Sequence, residues 1–270
     1  MLRKLIKHEL RATGRLMLPI YIAVLVLALF SNLSIRILES GETFVLSSLA
    51  GFVLAAFVLA LFAAAVMSLV LMIQRFYKNL LTDEGYLMCT LPVSMHKIIW
   101  SKLLVSTLWY LCTGLVSVLS LFVLAFRASL VSEVWKELRY VVSWIAKYFN
   151  FNISLLMAEL AIAALLGVFF LCLLCYASMA MGQSFSNRKL LLSVVFYFVF
   201  TTALNILGTA LMGALIPISY GALFNDLVLR LGIQGMALVA VLLMILVELL
   251  LCSFFYLLTY RRMTRRLNLQ

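Results

Sequence analysis

Hydrophobic and polar positions along this chain do not alternate finely. They fall into long apolar runs parted by short polar stretches. Six runs stand out, approximately Leu16 to Leu33, Phe44 to Ile73, Ile98 to Phe126, Phe151 to Met181, Leu190 to Leu215 and Gly235 to Tyr260. About 20 apolar residues in a helix cross the roughly 30 Å of hydrocarbon in a bilayer. The pattern therefore predicts an all-α membrane protein with six transmembrane helices.

Two of the polar stretches have a helical period of their own. Over residues 1–15, Lys4, Lys7, His8, Arg11 and Arg15 recur at three- and four-residue steps, with Leu2, Leu5 and Ile6 offset from them. This predicts an N-terminal amphipathic interfacial helix on the inner membrane surface, with Gly14 and Pro19 bracketing a turn into the first span. From Val131 to Phe149, the apolar residues Val131, Trp135, Leu138, Val142, Ile145 and Phe149 also follow such steps. Glu133, Lys136, Glu137, Arg139, Ser143 and Lys147 take the other face, which predicts an amphipathic helix on the outer surface. Between the fifth and sixth spans, Pro217, Gly221, Asn225, Asp226 and Gly232 punctuate a moderately apolar segment, where broken helices are expected.

Composition sharpens the class. The 270 residues are 66% hydrophobic and 11% charged, with a mean hydropathy of +1.17, whereas soluble domains carry about a quarter charged residues. No repeat or linker divides the chain, so residues 1–270 are expected to form a single transmembrane domain. A net charge of +11 raises the question of a nucleic-acid partner. With six spans and cytoplasmic termini, however, 15 of the Lys and Arg residues fall inside and six outside. That is the positive-inside asymmetry. The basic excess reads as topology and contact with anionic lipids, with no nucleic acid: a multi-pass plasma-membrane protein with both termini cytoplasmic. The long polar leader, with no small-residue cleavage site after the first span, argues against a removed signal peptide.

Candidate chemistry is sparse. Cys112, Cys172, Cys175 and Cys252 lie in apolar runs and Cys89 on the expected cytoplasmic side, which suits reduced thiols. Cys172-x-x-Cys175 has a metal or redox spacing, but without a second pair it reads as apolar packing. Asn32-Leu33-Ser34 and Asn152-Ile153-Ser154 match glycosylation sequons at membrane boundaries. The chain has no phosphate-binding loop, His-Glu-x-x-His or Gly-x-Ser-x-Gly, and only two histidines, so neither an enzyme nor a bound cofactor is expected. Two acids lie within spans: Glu159, about two turns from the outer face, and Glu248, mid-span. An ionised group at a helix centre costs roughly 2.5 to 3.5 kcal/mol, so both should face protein or water, or hold a proton. With Asn205 they form the candidate translocation path; the plainer reading is interhelical hydrogen bonding.

One polar island, Arg75 to Lys102, remains. It reads Asp83-Glu84-Gly85-Tyr86-Leu87-Met88-Cys89-Thr90-Leu91-Pro92-Val93-Ser94 at its centre and holds the chain's adjacent acidic pair. Phe76, Tyr77, Leu80 and Leu81 supply an apolar face. Thr82 is placed to cap a short helix whose first turn holds Asp83 and Glu84, where the helix dipole favours anions. Gly85 permits close approach, Pro92 ends the element and Ser94 is placed to cap the third span.

These residues resemble the membrane subunits of ABC-2 type transporters, the permeases of ATP-binding-cassette exporters. That family's pattern is Glu-Gly-Thr, a short hydrophobic stretch, Leu-x-x-Pro followed by an aliphatic residue and Ser or Thr, and then a small residue with Lys. Here Glu84-Gly85 is followed by Leu91-Pro92-Val93-Ser94 and then Ser101-Lys102, with departures at Tyr86 and Leu91. With the leader Lys7-His8-Glu9-Leu10-Arg11, the segment looks like permeases of Gram-positive bacterial exporters. The resemblance implies a cytoplasmic coupling helix between spans two and three, docking on a separate ATPase subunit through Lys78, Asp83, Glu84, Gly85 and Tyr86. It also implies a second permease copy. Alternatives are an ion-coupled secondary transporter using Glu159 and Glu248, and a membrane scaffold or sensor whose island docks a signalling protein.

Overall fold

The computed structural model describes residues 2–39, 43–81, 93–126, 128–149, 153–185, 188–219 and 222–265. Among these residues all regular structure is helical: α1 (Leu2–Glu39), α2 (Phe44–Leu81), α3 (Met95–Leu124), α4 (Ala128–Phe149), α5 (Ile153–Gly182), α6 (Lys189–Ser219) and α7 (Ala222–Arg265). Six of them, all but α4, are long and apolar enough to cross a membrane, as the six expected spans require. In hydrocarbon a helix satisfies its own backbone, and closed helices are the natural form for such runs.

The leader differs from expectation. No turn forms at Gly14 or Pro19, because α1 runs unbroken through both. The reason lies on the helix face opposite the cations. Glu9, Thr13, Met17, Tyr21, Val24, Ala28 and Ser31 are all buried and recur every three or four residues, so the inner face of the leader continues in register into the span. Lys4, Lys7, His8, Arg11 and Arg15 stay exposed on the outer face.

The chain divides into two compact units. One holds α1, α2 as far as Asn79, α3, and α4 as far as Glu137; the other holds the last residues of α2 and the rest of α4 with α5, α6 and α7. In the first unit α1 lies along α3. Helix α2 joins them through a buried heptad-spaced row, with Phe57 and Ala64 packed against Val24 and Ala28, and Leu71 against Met17 and Tyr21. Two polar contacts fix the far end: Ser31 Oγ donates to the Val53 carbonyl at 3.4 Å, and Asn32 Nδ2 lies 2.9 Å from the Leu124 carbonyl and 3.2 Å from those of Val123 and Phe126. Asn32 thereby serves the carbonyls that end α3, groups that have no partner inside their own helix. At the other end of α3 Ser94 occupies the N-cap position as expected, with extended backbone, but its hydroxyl makes no capping bond.

In the second unit α5 packs against both α6 and α7, which touch each other far less. Phe255 of α7 ties the three together, its ring 5.7 Å from Phe170 of α5 and 5.4 Å from Phe200 of α6, both edge-on. Where α5 ends, Gly182 lies so close to α6 that a Cβ there would sit 2.6 Å from the Ser193 amide nitrogen. The expected break before the last span falls at Gly232, whose φ of 67° and ψ of 174° interrupt α7. Ahead of the break, Arg230 Nε and Asp226 Oδ2 form an exposed ion pair at 2.9 Å.

Helix α4 forms where the amphipathic period predicts it, and its described side chains from Glu133 to Trp144 are all exposed.

Candidate functional site

The densest polar site lies in the first unit, at the end of α1 that carries the leader. Glu9 is the sole acid among the leader's cations, and its side chain turns to the buried face of α1. Lys102 stands eight residues into α3, on the face turned to α1. The two meet: Lys102 Nζ donates to Glu9 Oε1 at 2.7 Å, with the lysine side chain only 1% exposed. The second carboxylate oxygen faces Arg75 of α2, whose Nη1 lies 4.0 Å from Oε2 and whose side chain is 31% exposed. One carboxylate therefore stands between two cations from two different helices. The first contact is a short charge-assisted hydrogen bond; the second is a longer electrostatic approach.

Hydroxyl groups extend the cluster along α1 and α3. Thr13 Oγ1 donates to the Glu9 carbonyl at 2.8 Å and accepts from Trp109 Nε1 at 2.6 Å. One turn or two further, the Tyr21 hydroxyl and Thr113 Oγ1 lie 2.8 Å apart, and Tyr21 also donates to the Trp109 carbonyl at 3.1 Å. The Tyr21 and Trp109 rings sit 6.0 Å apart. Gly14 lies beside the Trp109 ring, where a Cβ would make ordinary van der Waals contact at 3.5 Å. A cavity of about 20 Å³ opens among Glu9, Thr13, Ser68, Arg75, Lys102 and Ser106, room for about one water molecule. Fixed and charged, this cluster is suited to holding three helix ends together rather than to bond-breaking chemistry.

The expected docking residues fare differently. Lys78 is exposed in the last turn of α2. Asp83, Glu84, Gly85 and Tyr86 lie outside the described residues, as do Thr82, Cys89 and Pro92, so the coupling helix over 82–92 does too.

The in-span residues sit in the second unit. Glu248 of α7 turns toward α5, where a Cβ on Gly167 would stand 3.8 Å from its Oε1; one turn along, Cys252 approaches the Leu166 carbonyl. The α5 backbone at Gly167 thus passes beside that carboxylate at ordinary contact distance. Glu159 is half-buried on α5, eight residues from Gly167, about 12 Å of helix rise. Each glutamate has one buried carboxylate oxygen that meets no hydrogen-bond donor among the described residues. Asn205 is exposed on α6, and its backbone carbonyl accepts from Thr209. Among the described residues no hydrogen bond joins it to either glutamate. Cys172 and Cys175 are both buried, and among the described residues no three His, Cys, Asp or Glu side chains gather as a metal site would need.

Sequence reasoning missed the pairing of Glu9 with Lys102, residues 93 positions apart. A signal was present: a lone acid on the apolar side of a basic leader, and a lysine about one turn inside an apolar run.

The fold defines a multi-pass helical membrane protein, with six membrane-length helices in two units. No family model, no characterised protein and no solved structure matches the chain.

Proposed function

We propose that the chain is the membrane-spanning permease subunit of an ABC-2 type exporter of the Gram-positive bacterial kind, resident in the plasma membrane with both termini cytoplasmic. It forms part of a translocation path, pairs with a second permease subunit, and is driven by a separate ATP-binding-cassette subunit that carries out the hydrolysis. One observation carries the reading. The two segments that bear the family resemblance, the leader around Glu9 and the island that ends at Lys102, meet in a buried ion pair.

The physical logic follows from that contact. A soluble ATPase moves a permease only through residues outside the hydrocarbon. Residues 75–94 lie between the second and third spans on the side richer in Lys and Arg, and Glu84 and Gly85 supply a charged, close-approach contact. Force applied there passes into α2 and α3 directly, and into α1 through Glu9. In the same reading the exposed cations on the leader face anionic headgroups of the inner leaflet, and the exposed Trp135 and Trp144 of α4 rest at the outer interface.

The test is a charge reversal at Glu84. Glu84→Arg should insert normally yet lose at least tenfold in complex formation with the ATPase subunit, or in the ATPase activity of the complex, measured by co-purification and phosphate release. Equal assembly and equal activity would remove the coupling role.

A second reading, an ion-coupled secondary transporter, draws on the unmatched carboxylate oxygens of Glu159 and Glu248. It requires transport in vesicles without ATP, driven by an ion gradient and lost in Glu159→Gln or Glu248→Gln.

A further inference from the structure

Two of the contacts of Glu9 are unequal. Toward α3 its Oε1 holds Lys102 at 2.7 Å in a nearly water-free setting. Toward α2 its Oε2 faces Arg75 at 4.0 Å, with about a third of the arginine side chain in contact with solvent. A pair at 2.7 Å out of water is hardly screened by salt; a pair at 4.0 Å with one partner wetted is screened readily. The arginine approaches the carboxylate beyond hydrogen-bond distance, and beside it lies a cavity large enough for one water molecule. Separation of Arg75 from Glu9 therefore gives up a weak contact and gains hydration. Separation of Lys102 from Glu9 breaks a short charged hydrogen bond between two buried groups.

We propose that Glu9 is a positioning residue with a fixed side and a releasable side: Lys102 locks the start of α3 to α1, and Arg75 latches the end of α2 to the same carboxylate. Arg75 lies six residues before the end of α2 and Lys102 eight residues into α3. Of the two contacts, the one on α3 is dry and short and the one on α2 is wetted and long. A pull on α2 and α3 opens the α2 contact first. The inference rests on the proposed permease role only for the origin of that pull; the asymmetry belongs to the chain alone.

Two arms separate these claims. In the first, the full chain alone, in lipid nanodiscs, is followed by amide hydrogen exchange between about 0.05 and 1 M salt, a range over which the screening length falls severalfold. Exchange over 70–80 should rise at least threefold with salt in the wild type, while 95–107 stays unchanged. Arg75→Gln should show the fast rate over 70–80 at every salt concentration. Lys102→Gln should raise exchange over 95–107 at least tenfold, and the swapped pair Glu9→Lys with Lys102→Glu should restore it, which guards against reading simple misfolding as support. Equal salt response at both ends, or a salt response over 70–80 that survives Arg75→Gln, would overturn the latch.

In the second arm, the ATP-binding-cassette subunit that co-purifies with the chain is loaded with ATP. Exchange over 70–80 should then change with nucleotide in the wild type and not in Arg75→Gln. If no such subunit accompanies the wild type, the permease reading falls, and the latch still stands or falls on the first arm.

Discussion

The two units of this protein treat acidic side chains in opposite ways. Glu9, in the first, is buried but answered: a lysine at 2.7 Å, an arginine at 4.0 Å and a lattice of hydroxyl and indole groups around them. Glu159 and Glu248, in the second, each keep a buried oxygen that meets no donor among the described residues. The difference teaches where each unit draws its cohesion. Apolar side chains gain little from leaving lipid for one another, so membrane helices rely on close packing and on polar contacts. The first unit uses polar contacts that bridge helices. The second packs Phe170, Phe200 and Phe255 edge to face and sets α5 hard against α6 at Gly182.

The contrast can be broken most forcefully at Lys102. Lys102→Ala removes the short bond to the buried Glu9 and should cost about 3–5 kcal/mol, the usual loss when one partner of a buried pair is removed. Reversible denaturant titration followed by tryptophan fluorescence would read it, and Glu9→Gln with Lys102→Met should recover most of the loss. Asn32→Ala comes next. It strips the donor from the last carbonyls of α3 and should cost roughly 1–3 kcal/mol in the same titration. Tyr21→Phe removes one hydroxyl from the Thr113 and Trp109 network, and a loss near 1 kcal/mol is expected. The smallest effects should come from the second unit. Glu248→Gln and Glu159→Gln keep the side-chain shape at groups whose buried oxygen meets no donor among the described residues, so each should shift stability by less than about 1 kcal/mol, within the range of single interhelical hydrogen bonds. A loss at Glu248 as large as that at Lys102 would erase the distinction between the units.

Much of the architecture was legible in the sequence. Six apolar runs became six membrane-length helices, the period over Val131 to Phe149 became α4, and the glycine at 232 marked the break in α7. These features depend on local composition and on single residues with restricted backbone choices. The leader was legible only on its charged face. Five cations pointed to a surface helix, whereas Glu9 and Thr13 on the other face, in step with Met17 and Tyr21, decide that α1 continues. At the site, Lys102 stood out as the end of a motif and Glu9 as part of a basic leader. Their meeting needed α1 and α3 side by side, a tertiary fact that no spacing within one helix contains. Glu159 and Glu248 were legible as costly residues, and Gly167 as the residue that faces one of them was not, because a glycine in an apolar run carries no mark of what lies opposite.

Gly232 carries a consequence of a different kind. Its φ of 67° with ψ of 174° is the mirror image of an ordinary extended conformation. Amino acids of the natural hand avoid that region, whereas a residue of opposite chirality would rest there without strain. At this one position the protein should be indifferent to a D-alanine introduced by chemical ligation and disturbed by its L enantiomer, so that two proteins identical in every bond would differ in fold stability by the handedness of a single methyl group.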